Sequence, residues 1–352
     1  MGKIAIYRYA ALMFMVVQIV ITLFTISALF GGTVTPIGNT ALAMLVYILP
    51  LLIIANLVMA VIWAIRRKWI ITCIPLVTIL MCLPYIGTMY QISFSNHDDV
   101  KNGLKISTYN VAAFGHETSG FMAQDILAEM KRQKVDVCCL QESSEYTNGE
   151  RSTSGSYQSY FPYKAMGRSD MAIFSRYPIT ASKAISFGQT NNSAMWADIS
   201  VKGKKVRVFN VHMETTGFNR TLHVVAKQAM KGNHVEDNKI VKAIYDNYTL
   251  GMVVRAGQAE LVASEMSQCK GIPRVICGDF NDVPYSYTYN TLLGDMVDGF
   301  KECGSGWMST YRGSKSVRID YIFHDEGLEG VNYYTTPLTY SDHLPVFMQL
   351  KL

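Results

Sequence analysis

Near the C-terminus the chain reads Y-S-D-H-L-P-V over Tyr340–Val346, placing Asp342 and His343 side by side ahead of the apolar run Leu344–Leu350. A carboxylate beside an imidazole can bind a cation, hold a water or move its proton. The same pair can also be a solvated turn, so its meaning depends on what else the chain brings to it. Other β-rich runs end in the same way. Asn110 follows Tyr109, Gln141-Glu142 follow Leu140, His212 follows Val211, and G-D-F-N at 278–281 follows Cys277. Ligands gather where strand ends open into loops, and polar groups collected there need a shared purpose to offset their burial.

Glu142 and Asp342 are hard oxygen donors, and Asn110 can add an amide oxygen. That set suits Mg²⁺, with Mn²⁺ as the related choice, because such an ion takes one or two carboxylates and leaves positions for water and phosphate. Zinc calls for more histidine or cysteine, and the chain has no C-x-x-C pair or comparable cluster. His343 can take a proton from water if a carboxylate holds its other ring nitrogen. Asp320, in the otherwise apolar V-R-I-D-Y-I-F, is the candidate for that role. An ion pair with Arg318 is the competing use, but adjacent strand residues point to opposite faces. A metal, a held water and an Asp-His pair describe phosphoester hydrolysis.

These residues need a rigid scaffold. The runs Leu104–Tyr109, Val135–Leu140, Met171–Phe174, Val206–Val211, Arg274–Cys277, Val317–Phe323 and Leu344–Leu350 read as strands. Met122–Arg132 and Gln258–Cys269 show helical spacing of apolar residues. Alternation of this kind over residues 104–352 predicts one α/β or α+β domain with helices covering sheets.

The motifs T-Y-N-V (108–111), L-Q-E (140–142), F-S-R-Y-P-I (174–179), N-V-H-M-E (210–214), G-D-F-N-D (278–282), R-I-D-Y-I-F (318–323) and S-D-H-L-P-V (341–346) resemble, in order, those of the endonuclease/exonuclease/phosphatase superfamily. The resemblance implies a four-layer sandwich, two mixed β-sheets face to face with helices outside. It implies Glu142 as principal metal ligand with Asn110 and Asp342, and Asp279 and Asn281 orienting the water and the scissile phosphate. His343, held by Asp320, is implied as general base or phosphate stabiliser. His212 is implied to bind the phosphoryl group or assist the leaving oxygen, as in the deoxyribonuclease and sphingomyelinase branch. That branch backs the histidine with a glutamate near the segment matching Asn192–Asp198, where this chain offers Asp198. Arg255 matches a substrate-cleft arginine, and a surface helix arginine is the other reading. His97, His116, His223, His234 and His324 lie off the motifs and read as surface or loop residues. Arg168 and Asp170 read as a rim ion pair, and Asn219–Val254 as an inert excursion, with a lid or a membrane-facing helix as the other readings.

The N-terminal part is of another kind. Residues 1–94 hold no Asp or Glu, and their only charges are Lys3, Arg8, Arg66, Arg67 and Lys68. The whole net charge of +5 belongs there, which leaves 27 basic and 27 acidic residues in 95–352. The apolar stretches Tyr9–Phe30, Ala41–Ile65 and Trp69–Ile92 each meet the ~20 residues needed to cross a bilayer as a helix. The first reads as an uncleaved anchor, with a secretory signal as the alternative. Basic residues before the first stretch and between the second and third put those ends in the cytoplasm. Three crossings then place the catalytic domain outside the cytoplasmic membrane. The expected organisation is an anchor over 1–94, a linker over 95–103 and a catalytic domain over 104–352.

Among the seven cysteines, Cys269 and Cys303 are available to pair outside the cytoplasm, which their spacing does not decide. The substrate class stays open between lipid headgroups, small phosphoesters and nucleic acid. A nuclease would need a basic cleft, to which a neutral catalytic half lends no support. Intact motifs count against an inactive binding module. No protein partner is legible.

Overall fold

The computed structural model describes residues 2–92, 103–115, 120–143, 157–168, 171–188, 190–215, 227, 237–313 and 316–352. The chain forms two compact units, one of Met1–Thr88 with Pro284–Asn290 and one of Met89–Val283 with Thr291–Leu352.

In the first unit, Ile6–Gly31 and Thr40–Ile65 are helices long and apolar enough to cross a membrane. Pro50 sits in the first turn of Leu49–Ile65, where its missing N–H costs nothing, and a 3₁₀ turn over Leu45–Ile48 leads into it. The expected third span is not continuous. It forms a helix over Trp69–Met81, 13 residues or about 20 Å, then a turn and the short helix Leu83–Ile86, and its last residues already belong to the second unit, where Tyr90–Gln91 is a strand. Pro84 has no N–H with which to continue the hydrogen-bond ladder. The faces of these helices are reversed relative to a water-soluble bundle. Leu23, Leu57 and Ile70 are exposed, while Gln18, Thr25 and Asn56 are fully buried. Asn56 Nδ2 donates to Thr25 Oγ1 at 2.8 Å, and Gln18 Nε2 reaches Asn56 Oδ1 at 3.3 Å.

The second unit is built on two six-stranded mixed sheets. One runs, in spatial order, Glu329–Thr335, Val346–Lys351, Leu104–Asn110, Val137–Gln141, Ala172–Ser175 and Tyr163–Met166. The other runs Val297–Asp298, Asp320–His324, Arg274–Asp279, Lys204–His212, Ser193–Val201 and Ile179–Ser186. Each has one parallel pair at its centre, Leu104–Asn110 with Val137–Gln141 and Lys204–His212 with Arg274–Asp279. Alternation along these strands sorts the side chains. Ile106, Val137, Cys139, Val208, Cys277 and Ile322 fill the core cluster that also takes in Met195, Val346 and Met348. Tyr109, Cys138, Leu140 and Phe347 form a second cluster with Ile126 and Met130 of the helix Phe121–Arg132.

Each expected run contains a strand that ends one or two residues later than expected, and four of the strands, Val137–Gln141, Ala172–Ser175, Asp320–His324 and Val346–Lys351, also begin one to three residues later. Tyr163–Met166, Ile179–Ser186, Ser193–Val201 and Glu329–Thr335 were not expected. The helix expected over Gln258–Cys269 spans Asp237–Ser267 and takes in the end of the 219–254 excursion. The linker except Gly103, together with His97, His116, His223, His234 and Asp170, lies outside the described residues. His324, expected at the surface, is buried, with its ring between Glu302 Oε2 at 2.7 Å and Asp325 O at 3.0 Å. Its strand lies inside the sheet, where it pairs with Val275 on one side and Val297 on the other. Cys269 and Cys303 are both free thiols.

Candidate active site

The parallel centres of the two sheets end at the same level, and the site is built there. Asn110 and His212 are each the last residue of their strand, Asp279 closes Arg274–Asp279, and Asp320 opens the antiparallel neighbour. In the second sheet Asp279 lies directly between His212 and Asp320 in register. The sheet hydrogen bonds that fix this register therefore fix the spacing of an imidazole and two carboxylates.

The turns beyond the strands are sharp. Glu142 and Asn281 adopt left-handed backbone, with φ of 51° and 50°. Gly278 has φ of 139°, and a Cβ there would stand 1.9 Å from Val211 O. Only glycine lets the strand carrying Asp279 lie this close to the strand carrying His212.

Asn110 Nδ2 donates to Glu142 Oε1 and to Asp279 Oδ2, both at 3.0 Å, and so joins the two sheets. His212 Nε2 is 3.6 Å from Glu142 Oε1 and 4.0 Å from Asp279 Oδ2. Asp279 is held by Asn281, whose backbone N–H donates to Oδ1 at 2.8 Å and whose amide reaches Oδ2 at 3.2 Å. The Asn281 amide also donates to Met213 O at 2.9 Å. His343 Nδ1 is clasped by Asp320, at 2.9 Å from Oδ2 and 3.1 Å from Oδ1. Its Nε2 lies 3.6 Å from Asp279 Oδ2. The ring of Tyr311 stands 5.0 Å from the His343 ring. Ser341 Oγ ties the Asp342-His343 turn to Asn110 O at 2.8 Å and accepts from His343 N at 3.1 Å.

The electrostatics follow from burial. Asp279 is enclosed, and burial pushes its pKa up to about 6; nearby Asp320 adds to the rise and His343 pulls against it. Burial works against a charged His343, but Asp320 and Asp279 outweigh it and hold its pKa at about 10. Arg318 does not compete for Asp320. It forms a buried pair with Asp298, at 2.8 Å through Nη1, beneath the rings of Phe300 and Tyr321.

Four expectations need revision. Asn110 stands in the cluster, but its amide oxygen accepts from Ala112 N at 3.0 Å. The nitrogen faces the carboxylates, donating to Glu142 and to Asp279. Asp342 is exposed beside the cluster rather than inside it, and its carbonyl accepts from Arg312 N at 2.7 Å. Asp198 is engaged by Arg207, at 2.6 Å and 2.9 Å, five positions along its strand from Ser193, the cross-strand neighbour of His212. Arg255 is fully buried. It donates to Asp282 Oδ2 at 3.2 Å and Glu214 O at 3.0 Å, since a buried carboxylate at Asp282 requires a partner. Arg255 thus braces the loops that follow His212 and Asp279 instead of meeting the cleft. Arg168, the other half of the expected rim pair, donates to Ser186 Oγ.

The family model of the endonuclease/exonuclease/phosphatase family matches residues 107–343, about two thirds of the chain. The chain belongs to this family. A model of a domain of unknown function, DUF8431, matches residues 11–89. No curated protein matches the chain by sequence. Among solved structures, a humanised D. rerio TDP2 superposes with a TM-score of 0.52 at 15% identity, covering 72% of this chain and all of its own. The endonuclease/exonuclease/phosphatase of Beutenbergia cavernae gives 0.52 at 18%, covering 72% of each chain. The family protein of Leptotrichia buccalis gives 0.50 at 16%, covering 71% of this chain and all of its own. These likenesses show the fold.

Clustered carboxylates suit a divalent cation. Asp279, Asp320 and His343 bring polar side-chain atoms within 4.8 Å of one another; with His343 held charged by Asp320, the hard oxygens free for a cation are those of Asp279 and of the half-exposed Glu142 at the mouth. The residues that sequence reading left out are Thr108, Gln141 and Asn210, one layer beneath the site, and Gln258, whose Oε1 accepts from Glu214 N at 2.8 Å. The first three stand inside quoted motifs, and counting back by two along each strand from its site residue finds Thr108 and Asn210.

Proposed function

We propose that the chain is a membrane-anchored phosphoester hydrolase that uses Mg²⁺ or Mn²⁺. The observation that carries this reading is the single connected cluster Glu142–Asn110–Asp279–His343–Asp320, assembled from five separate strand ends. A fold alone does not give a function, but this cluster has the parts that phosphoryl transfer to water needs.

Glu142 and Asp279 would hold the cation, with Asn110 between them and Asp342 at the rim. When bound, the ion supplies positive charge to the phosphate oxygens and makes water a better nucleophile. Asp279 Oδ2, oriented by Asn281, is placed to accept the proton of the attacking water. His343 is kept protonated by its two carboxylate neighbours, so its Nε2–H serves as a donor to a phosphate oxygen. That supports the stabiliser role over the general-base role. Nε2 of His212, at the other flank of Asp279, is placed toward the phosphoryl group or the leaving oxygen. Enclosing these groups strengthens each such contact relative to water.

The reversed faces of the N-terminal helices, apolar outside and polar within, support anchoring in lipid. With Arg66-Arg67-Lys68 inside, the charge-free stretch from Trp69 to Ile86 makes the third crossing despite its break at Cys82. At 1.5 Å per residue its 18 positions reach at most about 27 Å, so it crosses a ~30 Å bilayer core only with its flanking residues in the interface. The catalytic unit then works on the outer side, on lipid headgroups or small phosphoesters. The equal counts of acidic and basic residues in 95–352 argue against nucleic acid as the main substrate.

The test is the full chain in detergent or nanodiscs, assayed with Mg²⁺, Mn²⁺ or EDTA against phosphatidylinositol phosphates, sphingomyelin, soluble phosphodiesters and plasmid DNA. Cation-dependent turnover of lipid or small phosphoesters is expected. Turnover of plasmid alone would reverse the choice of substrate, and no turnover of any of them would remove the reading.

A further inference from the structure

One layer beneath the site, the two sheets are joined by polar groups where dry packing would be ordinary. Thr108, Gln141 and Asn210 have no exposed surface. Thr108 and Asn210 stand two residues before Asn110 and His212, on the same inward faces, and Gln141 immediately precedes Glu142. One step further down, those faces are apolar, with Ile106, Cys139 and Val208 in the core.

The bonding is directed across the sandwich. Asn210 Nδ2 donates to Leu140 O and to Ala172 O, both at 3.0 Å. Leu140 and Ala172 are register partners at the last rung between their strands. Asn210 Oδ1 accepts from Gln141 Nε2 at 2.6 Å, and that nitrogen also donates to Thr108 Oγ1 at 2.9 Å. One amide from the sheet of His212 is therefore bonded to two strands of the other sheet and, through Gln141, to a third.

Apolar faces attract without direction, so packing alone does not set the gap between two sheets finely. Hydrogen bonds between buried groups are directional and costly to leave unmade. We propose that Asn210 and Gln141 are positioning residues that set the inter-sheet distance at the level of the site. Through them Glu142 and Asn110 of one sheet meet His212 and Asp279 of the other, at the 3.6 Å of His212–Glu142 and the 3.0 Å of Asn110–Asp279. This rests on the phosphoesterase reading, because what the pair positions is the cation and phosphate cluster.

A merely structural role and a positioning role separate in a double substitution. Asn210→Leu or Gln141→Met alone orphans a buried partner and lowers the melting temperature. Asn210→Leu with Gln141→Met removes both ends of the Asn210–Gln141 bond at similar volume, which recovers the part of that stability lost by orphaning one end, while Leu140 O, Ala172 O and Thr108 Oγ1 still lose a donor. The full chain in detergent is compared for kcat and KM on a soluble phosphodiester and for Mn²⁺ binding by electron paramagnetic resonance. In the double variant, kcat is expected to fall at least about tenfold with KM within about twofold, and the Mn²⁺ midpoint to rise about tenfold or more, as for supports behind metal ligands. Wild-type kcat and Mn²⁺ midpoint in a folded double variant would overturn the proposal. If the Leu and Met variants do not fold, Thr108→Val keeps the volume and removes one acceptor. A loss in kcat and Mn²⁺ affinity of at least about threefold supports the proposal, and none overturns it. A wild-type chain that turns over no phosphoester removes the reading of the site, and the Mn²⁺ midpoints then decide the positioning role.

Discussion

At His343, burial disfavours the charged ring while Asp320 and Asp279 favour it, and the carboxylates win. The sign of the resulting pH dependence is fixed. A histidine raised from 6.5 to about 10 contributes stability that is complete below pH 6.5 and disappears as pH rises through 10. Asp279, raised from 3.8 to about 6, favours the folded state most when protonated, so its contribution falls between those values. Thermal unfolding of the chelated chain in detergent should therefore show stability declining between pH 7 and 10. His343→Gln should flatten that decline, and an unchanged slope would show that the imidazolium is not held as described. At this scale much of the site was legible, because Glu142, His212, Asp279, Asn281, Asp320 and His343 all converge. The misreadings at Arg255, Asp198 and His324 have one cause: a sequence shows a charge but not its partner. Asp282, Arg207 and Glu302 turned these groups inward.

Among the elements, the parallel strand pairs carry the site, and Gly278 is the closest point between two of them. Gly278→Ala combines a φ of 139° with a Cβ 1.9 Å from a backbone carbonyl, and nothing flexible is there to yield. A loss of stability of about 3 kcal/mol or more is expected, and a wild-type melting temperature would contradict the register given for His212 and Asp279. Strand existence was legible where both faces are covered, since an apolar run results. Ile179–Ser186 is an edge strand with most of its residues exposed, and Glu329–Thr335 and Tyr163–Met166 are edges of the other sheet. Edges need no apolar run, so their pattern faded into loop. Ser193–Val201 is internal and buried, but Ser193, Asp198 and Ser200 interrupt its apolar residues, so no run marks it. In the N-terminal helices, Asn56 is the partner of both Gln18 and Thr25. Asn56→Leu leaves a buried glutamine short of an acceptor in an apolar bundle. It should lower the detergent melting temperature by several degrees, as losing a buried hydrogen bond of about 1–2 kcal/mol does. No change would mean that the first helix does not pack on the second.

For the whole molecule, the charge partition is the strongest signal in the chain. All net charge lies in an acid-free apolar stretch over residues 1–94, about a quarter of the chain, and a neutral catalytic unit follows it. If the topology holds, a cysteine introduced at an exposed position such as Glu326 should react with a membrane-impermeant maleimide in intact cells, and one near Arg67 only after lysis. Protection of both until lysis would put the catalytic unit in the cytoplasm, the outcome for two crossings instead of three, and the reverse pattern would invert the orientation of all the spans. The most direct measurement is the hydrolysis of a soluble phosphodiester by the full chain with Mg²⁺ and with EDTA, wild type against Glu142→Gln and His343→Ala. Activity should vanish in EDTA, return with the cation, and fall by about three orders of magnitude or more in each folded variant. Undiminished hydrolysis in EDTA, or variants that match the wild type, would show that these strand ends do not share one reaction centre.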